Sequence, residues 1–251
     1  MTNLHPIHRQ ILKEINKLEK SLLSKRNLGR LDFGQRYVGT NKPYHGFTSK
    51  QIYDIAKKIF KENRLDSKEI IQLLNSLYQY GLSYTEIVIG PTILSLSSQA
   101  LKNFDPENLD LWLNYTCGWA EDDVLCQSIF TAENVLAKWT EWKKILKKFN
   151  QDSNINKRRA SLVLLTKSVR QSDDPRLSKL AFENIENLKL EKDILITKAI
   201  SWLLRSLVTF HKDELLKYLE DNKDSLPKIA YREALSKALT GRKYNNSKKQ
   251  I

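Results

Sequence analysis

Trp119 and Asp123 stand four residues apart in the stretch Gly118-Trp119-Ala120-Glu121-Asp122-Asp123-Val124-Leu125-Cys126-Gln127. On a helix the indole and the carboxylate therefore share one face, one turn apart. An aromatic plane beside a carboxylate can hold a flat cation and stabilise positive charge developing next to it. Asp122 is the competing carboxylate, turned about 100° around the same helix. Trp112 also has a residue four positions on, but that residue is Thr116, so only the Trp119 register supplies an acid. A half-buried Trp beside a solvated Asp produces the same spacing without any chemistry.

Two further stretches carry suitable groups. Asn154-Ile155-Asn156-Lys157-Arg158-Arg159-Ala160-Ser161-Leu162 is a basic cluster opening a helix. There a guanidinium can fork onto a phosphate, and helix N-terminal amides add to anion binding. In Ile196-Thr197-Lys198-Ala199-Ile200-Ser201-Trp202-Leu203-Leu204-Arg205, Trp202 and Arg205 lie i,i+3 on an otherwise apolar helix. The plainer assignment makes Trp202 core, Arg159 a surface ion-pair partner and Asp123 a solvated acid.

The elements that position these groups are helices. Gly 8 and Pro 6 are few, and Leu, Lys, Ile and Glu are plentiful, which favours helix over strand. Residues 1–30 read as one amphipathic helix, with Ile7, Ile11, Leu12, Ile15, Leu18, Leu22 and Leu23 at helical spacing. Gly34, Gly39, Pro43 and Gly46 then predict a loop over 29–48, pinned by Phe33, Tyr37, Tyr44 and Phe47. Further helical starts fall near 48, 84, 119, 154, 191 and 226, each step holding a longer and a shorter helix. Asp105-Pro106 and Asp174-Pro175 read as N-caps with Pro at the first helical position. Asp66 and Glu69 have the spacing of a capping box.

A helix-turn-helix period in the mid-thirties predicts an all-α fold, an α-solenoid of HEAT-like hairpins forming a curved superhelix with a basic concave face. On that frame equivalent helices line one face, and Trp119, Arg159 and Trp202 can converge on one groove. The expectation is a single domain over 1–240 and a loose basic tail over 241–251.

Charge narrows the partner. Of a formal +13, a net +8 lies between Lys138 and Arg170, where ten Lys/Arg face only Glu141 and Asp152. Such a concentration favours a polyanion, nucleic acid ahead of anionic membrane. A solvated lysine-rich surface is the bland alternative. No apolar run is long enough to span a bilayer, and the N-terminus lacks a signal-peptide core, so a cytoplasmic location is expected. Cys117 and Cys126 are too few for a disulfide framework, and His5, His8, His45 and His211 lack metal-ligand spacing. No metal site is expected.

The three motifs together, in their order and separation, resemble the AlkD-type DNA alkylation repair family of HEAT-like repeat glycosylases. Arg36-Tyr37-Val38-Gly39-Thr40-Asn41-Lys42-Pro43-Tyr44-His45-Gly46-Phe47 is similar to that family's N-terminal loop, and Tyr231-Arg232-Glu233-Ala234-Leu235 to its last helix. The resemblance covers about residues 36–240. It implies a catalytic Asp at Asp123 and aromatic walls at Trp119 and Trp202. It also implies a backbone contact at Arg159, with Arg158 and Lys157 adding positive charge. Many relatives carry Arg where this chain has Tyr53.

The implied substrate is double-stranded DNA containing N3- or N7-alkylated purines, hydrolysed by a monomer without cofactor or metal. It also implies that the lesion stays largely in the duplex, where most base-excising enzymes flip the base out. The alternative is a solenoid without activity, binding DNA structure or a protein partner through the same groove. A metal-dependent nuclease ranks third, because the Asp122/Asp123 pair lacks supporting carboxylates.

Overall fold

Long runs of apolar residues at helical spacing, with few breakers, give a chain of helices. The computed structural model describes residues 4–23, 28–127 and 129–244. Its helices are α1 (Pro6–Leu22), α2 (Leu28–Val38), α3 (Ser49–Asn63), α4 (Ser67–Tyr80), α5 (Tyr84–Ser95), α6 (Ser98–Asn103), α7 (Asn108–Trp112) and α8 (Gly118–Cys126). They continue with α9 (Ala132–Ala137), α10 (Trp139–Asn150), α11 (Ile155–Val163), α12 (Leu165–Ser168), α13 (Pro175–Leu188), α14 (Ile194–Leu207), α15 (Lys212–Asp221) and α16 (Lys228–Thr240). No strand occurs among the described residues. The expected starts lie within three residues of α3, α5, α8, α11, α14 and α16.

The chain forms two compact units, Met1–Leu125 and Cys126–Ile251. In the first, α1 packs on α3 and α4, α3 on α5, and α4 on α5, α6 and α7. Ile11, Ile15, Ile59, Leu73, Leu74 and Leu77 fill the core between them. Trp112 is also core, stacked on Tyr78 and donating its Nε1–H to Asn75 Oδ1 at 2.8 Å. In the second unit, α10 packs on α11 and α13, α11 on α14, α14 on α16, and α15 on α16. Asn150 on α10 donates to Ser161 Oγ on α11 and to the Asn184 carbonyl on α13, each at 3.1 Å. Those polar groups lie buried at the crossing, so each needs its partner.

The N-terminal expectation needs correction. The first helix is shorter than 1–30, and residues 1–3 and 24–27 of that range lie outside the described residues. Residues 29–38, expected as loop, are helical as part of α2, and the loop proper runs from Gly39 to Thr48. Gly34 is no breaker here. A Cβ on it would stand 2.7 Å from the Tyr44 ring, so the glycine lets the loop close against α2. Phe33 and Tyr37 are mostly exposed, whereas Phe47 is buried. Of the expected tail, residues 245–251 lie outside the described residues.

Start signals behaved unevenly. Asp66 and Glu69 form the reciprocal capping box, and Asp174 caps α13 with Pro175 at its first position. Asp105-Pro106 instead opens a turn, with Asp105 Oδ1 accepting from the Glu107 amide at 3.0 Å, and α7 begins at Asn108. Thr48 with Gln51 and Ser83 with Glu86 form two more capping boxes.

Glu86 also reaches across the core. Its Oε2 meets His8 Nε2 at 2.9 Å, while His8 Nδ1 meets Ser76 Oγ at 2.9 Å, joining α1, α4 and α5. Burial alone would raise the Glu86 carboxyl, but hydrogen bonds from His8 and Ser83 overcome it and hold the group below its ordinary value. A depressed carboxyl contributes stability that is present above its unfolded value and lost as pH falls through the folded one. Stability should therefore decline below about pH 4.5. Replacing Glu86 with Ala should cost about 3 kcal/mol and flatten that acid limb. Urea denaturation across pH checks it, and an unchanged limb would count against the role of Glu86.

Candidate functional site

The organising feature around α8 is a carboxylate that the spacing argument passed over. Glu121, 1% exposed, lies on the first turns of α8. Its Oε1 accepts from Thr40 Oγ1 at 2.7 Å, and its Oε2 accepts from Lys42 Nζ at 2.7 Å and from the Cys117 amide at 2.7 Å. Lys42 Nζ also donates to the Tyr115 carbonyl at 2.9 Å. A buried carboxylate is tolerable only when paired and hydrogen-bonded. Here the 39–48 loop and the residue before α8 supply all of its donors. The available signal was local: a glutamate in the first turns of a helix can reach back to the amide that starts it.

Backbone geometry supports the same junction. Gly39 and Gly118 have φ of 76° each, a left-handed conformation natural to glycine. A Cβ on Gly118 would lie 2.3 Å from the Gly39 carbonyl oxygen, so the two backbones touch. Farther along the loop, the Tyr84 amide donates to the Pro43 carbonyl at 3.0 Å, and the Tyr44 and Tyr84 rings meet at 5.3 Å. Burial, with Tyr44 and Glu121 nearby, pushes the Tyr84 phenol up to about 12.

This anchoring fixes what α8 offers. Asp122 is fully buried, while Asp123 and Trp119 are each half-buried on the helix. Trp119 donates its Nε1–H to the Tyr37 carbonyl at 2.8 Å and meets the Tyr37 ring edge to face at 5.5 Å. Tyr37 stacks in turn on Phe33 at 6.2 Å. The indole is thus oriented from both its polar edge and its ring, and a carboxylate stands one turn away.

The remaining sequence-predicted residues lie in the second unit. Lys157 and Arg159 are buried on α11. Lys157 Nζ stands 3.6 Å from Asp152, and Arg159 donates from Nη1 to the Leu195 carbonyl at the start of α14 at 2.7 Å. Arg158 is held firmly: Nε and Nη2 fork onto Glu191 at 2.9 and 2.8 Å, and Nη1 donates to the carbonyls of Asp152 and Ser153. The hydrogen bonds to Glu191 raise the Arg158 pKa.

Trp202 on α14 is half-buried. Beside it, Glu233 accepts from Ser201 at 2.6 Å and stands 3.5 Å from Arg205 and 3.4 Å from Lys243. Burial depresses Arg205, and burial would raise Glu233 were it not for its hydrogen bond from Ser201 and the two cations, which lower it. Tyr53 is partly exposed with the Lys57 ammonium 5.7 Å from its ring centre. Among the described residues no group of three or more His, Cys, Asp or Glu side chains is arranged to hold a metal ion. No described helix is long and apolar enough to cross a membrane.

A family model described as "DNA alkylation repair enzyme" matches residues 18–238. A solved structure described as a predicted DNA alkylation repair enzyme from Enterococcus faecalis is similar in fold. It has a TM-score of 0.68 and 17% identity, covering 86% of this chain and 97% of that one. No curated protein matches the chain.

Changing Glu121 to Ala should leave the Lys42 ammonium, the Thr40 hydroxyl and the Cys117 amide without their acceptor. A cost of about 3–5 kcal/mol is expected, with faster amide exchange through Gly39–Thr48 than through the α4 core. Exchange in that loop equal to the parent protein would show that Glu121 does not anchor it.

Proposed function

Because the chain belongs to the DNA alkylation repair enzyme family, we propose that it is a monofunctional DNA glycosylase releasing N3- and N7-alkylated purines from duplex DNA. The observation that carries this reading is the presentation of α8. Asp123 and an oriented Trp119 stand half-exposed one turn apart, while Glu121 and Asp122 are buried in the protein.

Alkylation at N3 or N7 leaves a cationic base, already a good leaving group. Heterolysis of the C1′–N bond sends its electron pair to the base, which departs neutral, and positive charge develops on the sugar. Water then adds at C1′ and gives up a proton. A carboxylate held near C1′ stabilises that developing charge and orients the water, as in other glycosyl cleavages. Indole faces hold a cationic ring through cation–π contact, each worth about 0.5–2 kcal/mol. In this assignment Asp123 is the catalytic carboxylate, Trp119 and Trp202 are aromatic walls, and Arg159 contacts the DNA backbone. No step requires a metal or cofactor. Arg158 and Lys157 add positive charge for the DNA beside Arg159 at the start of α11, where Arg158 is braced by Glu191 and Lys157 lies near Asp152.

Incubating the protein with N-methylated duplex DNA and quantifying free 3-methyladenine and 7-methylguanine tests the reading. Release well above the spontaneous rate is expected. Asp123→Asn should slow it about a hundredfold or more, with duplex affinity nearly unchanged. Folded protein that releases neither base, or an Asn variant as active as the parent, would overturn the assignment.

A further inference from the structure

Helices α10 and α13 face one another with two matched rows of side chains. Trp139, Lys143 and Lys147 recur every four residues along α10, and Arg176, Lys179 and Glu183 follow one another along α13. Trp139, Lys143, Arg176, Lys179, Leu180 and Glu183 line a cavity of about 310 Å³ between them, at the lower end of the range for ligand pockets. The Arg176 guanidinium lies 5.5 Å from the centre of the Trp139 ring. Asp174 fixes that guanidinium with a fork, from Nη2 at 2.7 Å and from Nε at 3.0 Å. The single acid in the cavity, Glu183, pairs with Lys147 at 3.0 Å. Lys143 and Lys179 are exposed and have no ion-pair partner among the described residues.

Each part suggests a ligand component. A half-exposed indole and a braced guanidinium give planar surfaces on which a nucleobase stacks. Two lysines without carboxylate partners, one on each helix, offer charge to successive phosphates. A duplex presents phosphates outward and keeps its bases stacked inside, so it would use the lysines but not the indole. An unpaired strand uses both.

We propose that the α10–α13 cleft is a binding site for single-stranded DNA, in which a base stacks on Trp139 and Arg176 while Lys143 and Lys179 hold the flanking phosphates. The site shares no residue with the α8, α11 and α14 motifs and does not depend on the excision reaction. It would let the protein hold an unpaired strand separately from the duplex it repairs.

The test is anisotropy of a fluorescein-labelled deoxythymidine oligonucleotide of about 12 nucleotides, titrated with full-length protein at several salt concentrations. Lys143→Ala/Lys179→Ala should weaken binding and reduce the slope of log K against log salt by about 1.4, two single-strand phosphates' worth. Trp139→Ala should weaken it about fivefold or more without changing the slope, and Trp139→Phe should recover part of the loss. Thermal unfolding establishes that the variants are folded, and the lysine pair, being exposed, remains decisive if Trp139→Ala is not. Three outcomes would overturn the proposal. One is parental affinity and slope in the lysine variant. Another is displacement by polyglutamate as effective as by oligonucleotide, which would indicate an acidic protein partner. The third is equal loss of single-strand and undamaged-duplex binding, which would indicate a general phosphate patch.

Discussion

One buried carboxylate governs the N-terminal unit's working surface. Glu121 gathers Thr40, Lys42 and the Cys117 amide onto two oxygens, and none of those donors comes from a helix interior. A loop of ten residues with two glycines in left-handed or close-contact positions would otherwise sample many conformations. Because leaving this carboxylate unsatisfied in the protein interior is so costly, the loop and the start of α8 are held in one arrangement. Trp119 inherits its orientation from that arrangement, through the Tyr37 carbonyl at the end of α2. Glu121 is itself buried, yet it anchors the start of the helix that carries Trp119 and Asp123.

The C-terminal unit follows the same logic with the charges reversed. Glu191 and Glu233 are the acids that hold Arg158 and Arg205, and Asp174 holds Arg176. Positive charge in this chain is therefore of two kinds. Some cations are braced by carboxylates or carbonyls and act as rigid plates. Others, such as Lys143 and Lys179, project from exposed helix faces and have no ion-pair partner among the described residues. Net charge alone cannot distinguish the two, although only the second kind retains its full attraction for a polyanion. The braced arginines contribute planarity and fixed direction instead.

Such a division suits the proposed excision reaction, whose substrate would already carry much of its own reactivity. A cationic purine needs modest assistance to leave, so a reactive constellation of many groups is unnecessary. Under that proposal a single carboxylate kept half-exposed and an indole kept in place would be enough, provided neighbouring acids do not compete for the same role. Burial of Glu121 and Asp122 meets that condition within one helix.

The sequence by itself determined the helical content, the start of each major hairpin and the one-turn spacing of Trp119 and Asp123. These depend on local periodicity, capping and i,i+4 spacing, all carried by neighbouring residues. It misread residues 29–38 because glycine is ambiguous: the same lack of a side chain breaks a helix in one context and admits an aromatic ring in another. It singled out Arg159 by resemblance but carried no sign of what engages Lys157, Arg158 or Arg159. Only tertiary structure separated them, because Glu191, Asp152 and the Leu195 carbonyl that engage them come from different parts of the chain. Glu121's reach back to the Cys117 amide was legible locally, but its partners Thr40 and Lys42 lie about eighty residues away. Trp139 and Arg176 met for the same reason, across the packing of α10 on α13. Spacing along one helix determines which side chains share a face; which of them stays accessible is decided by what distant segments bring against it.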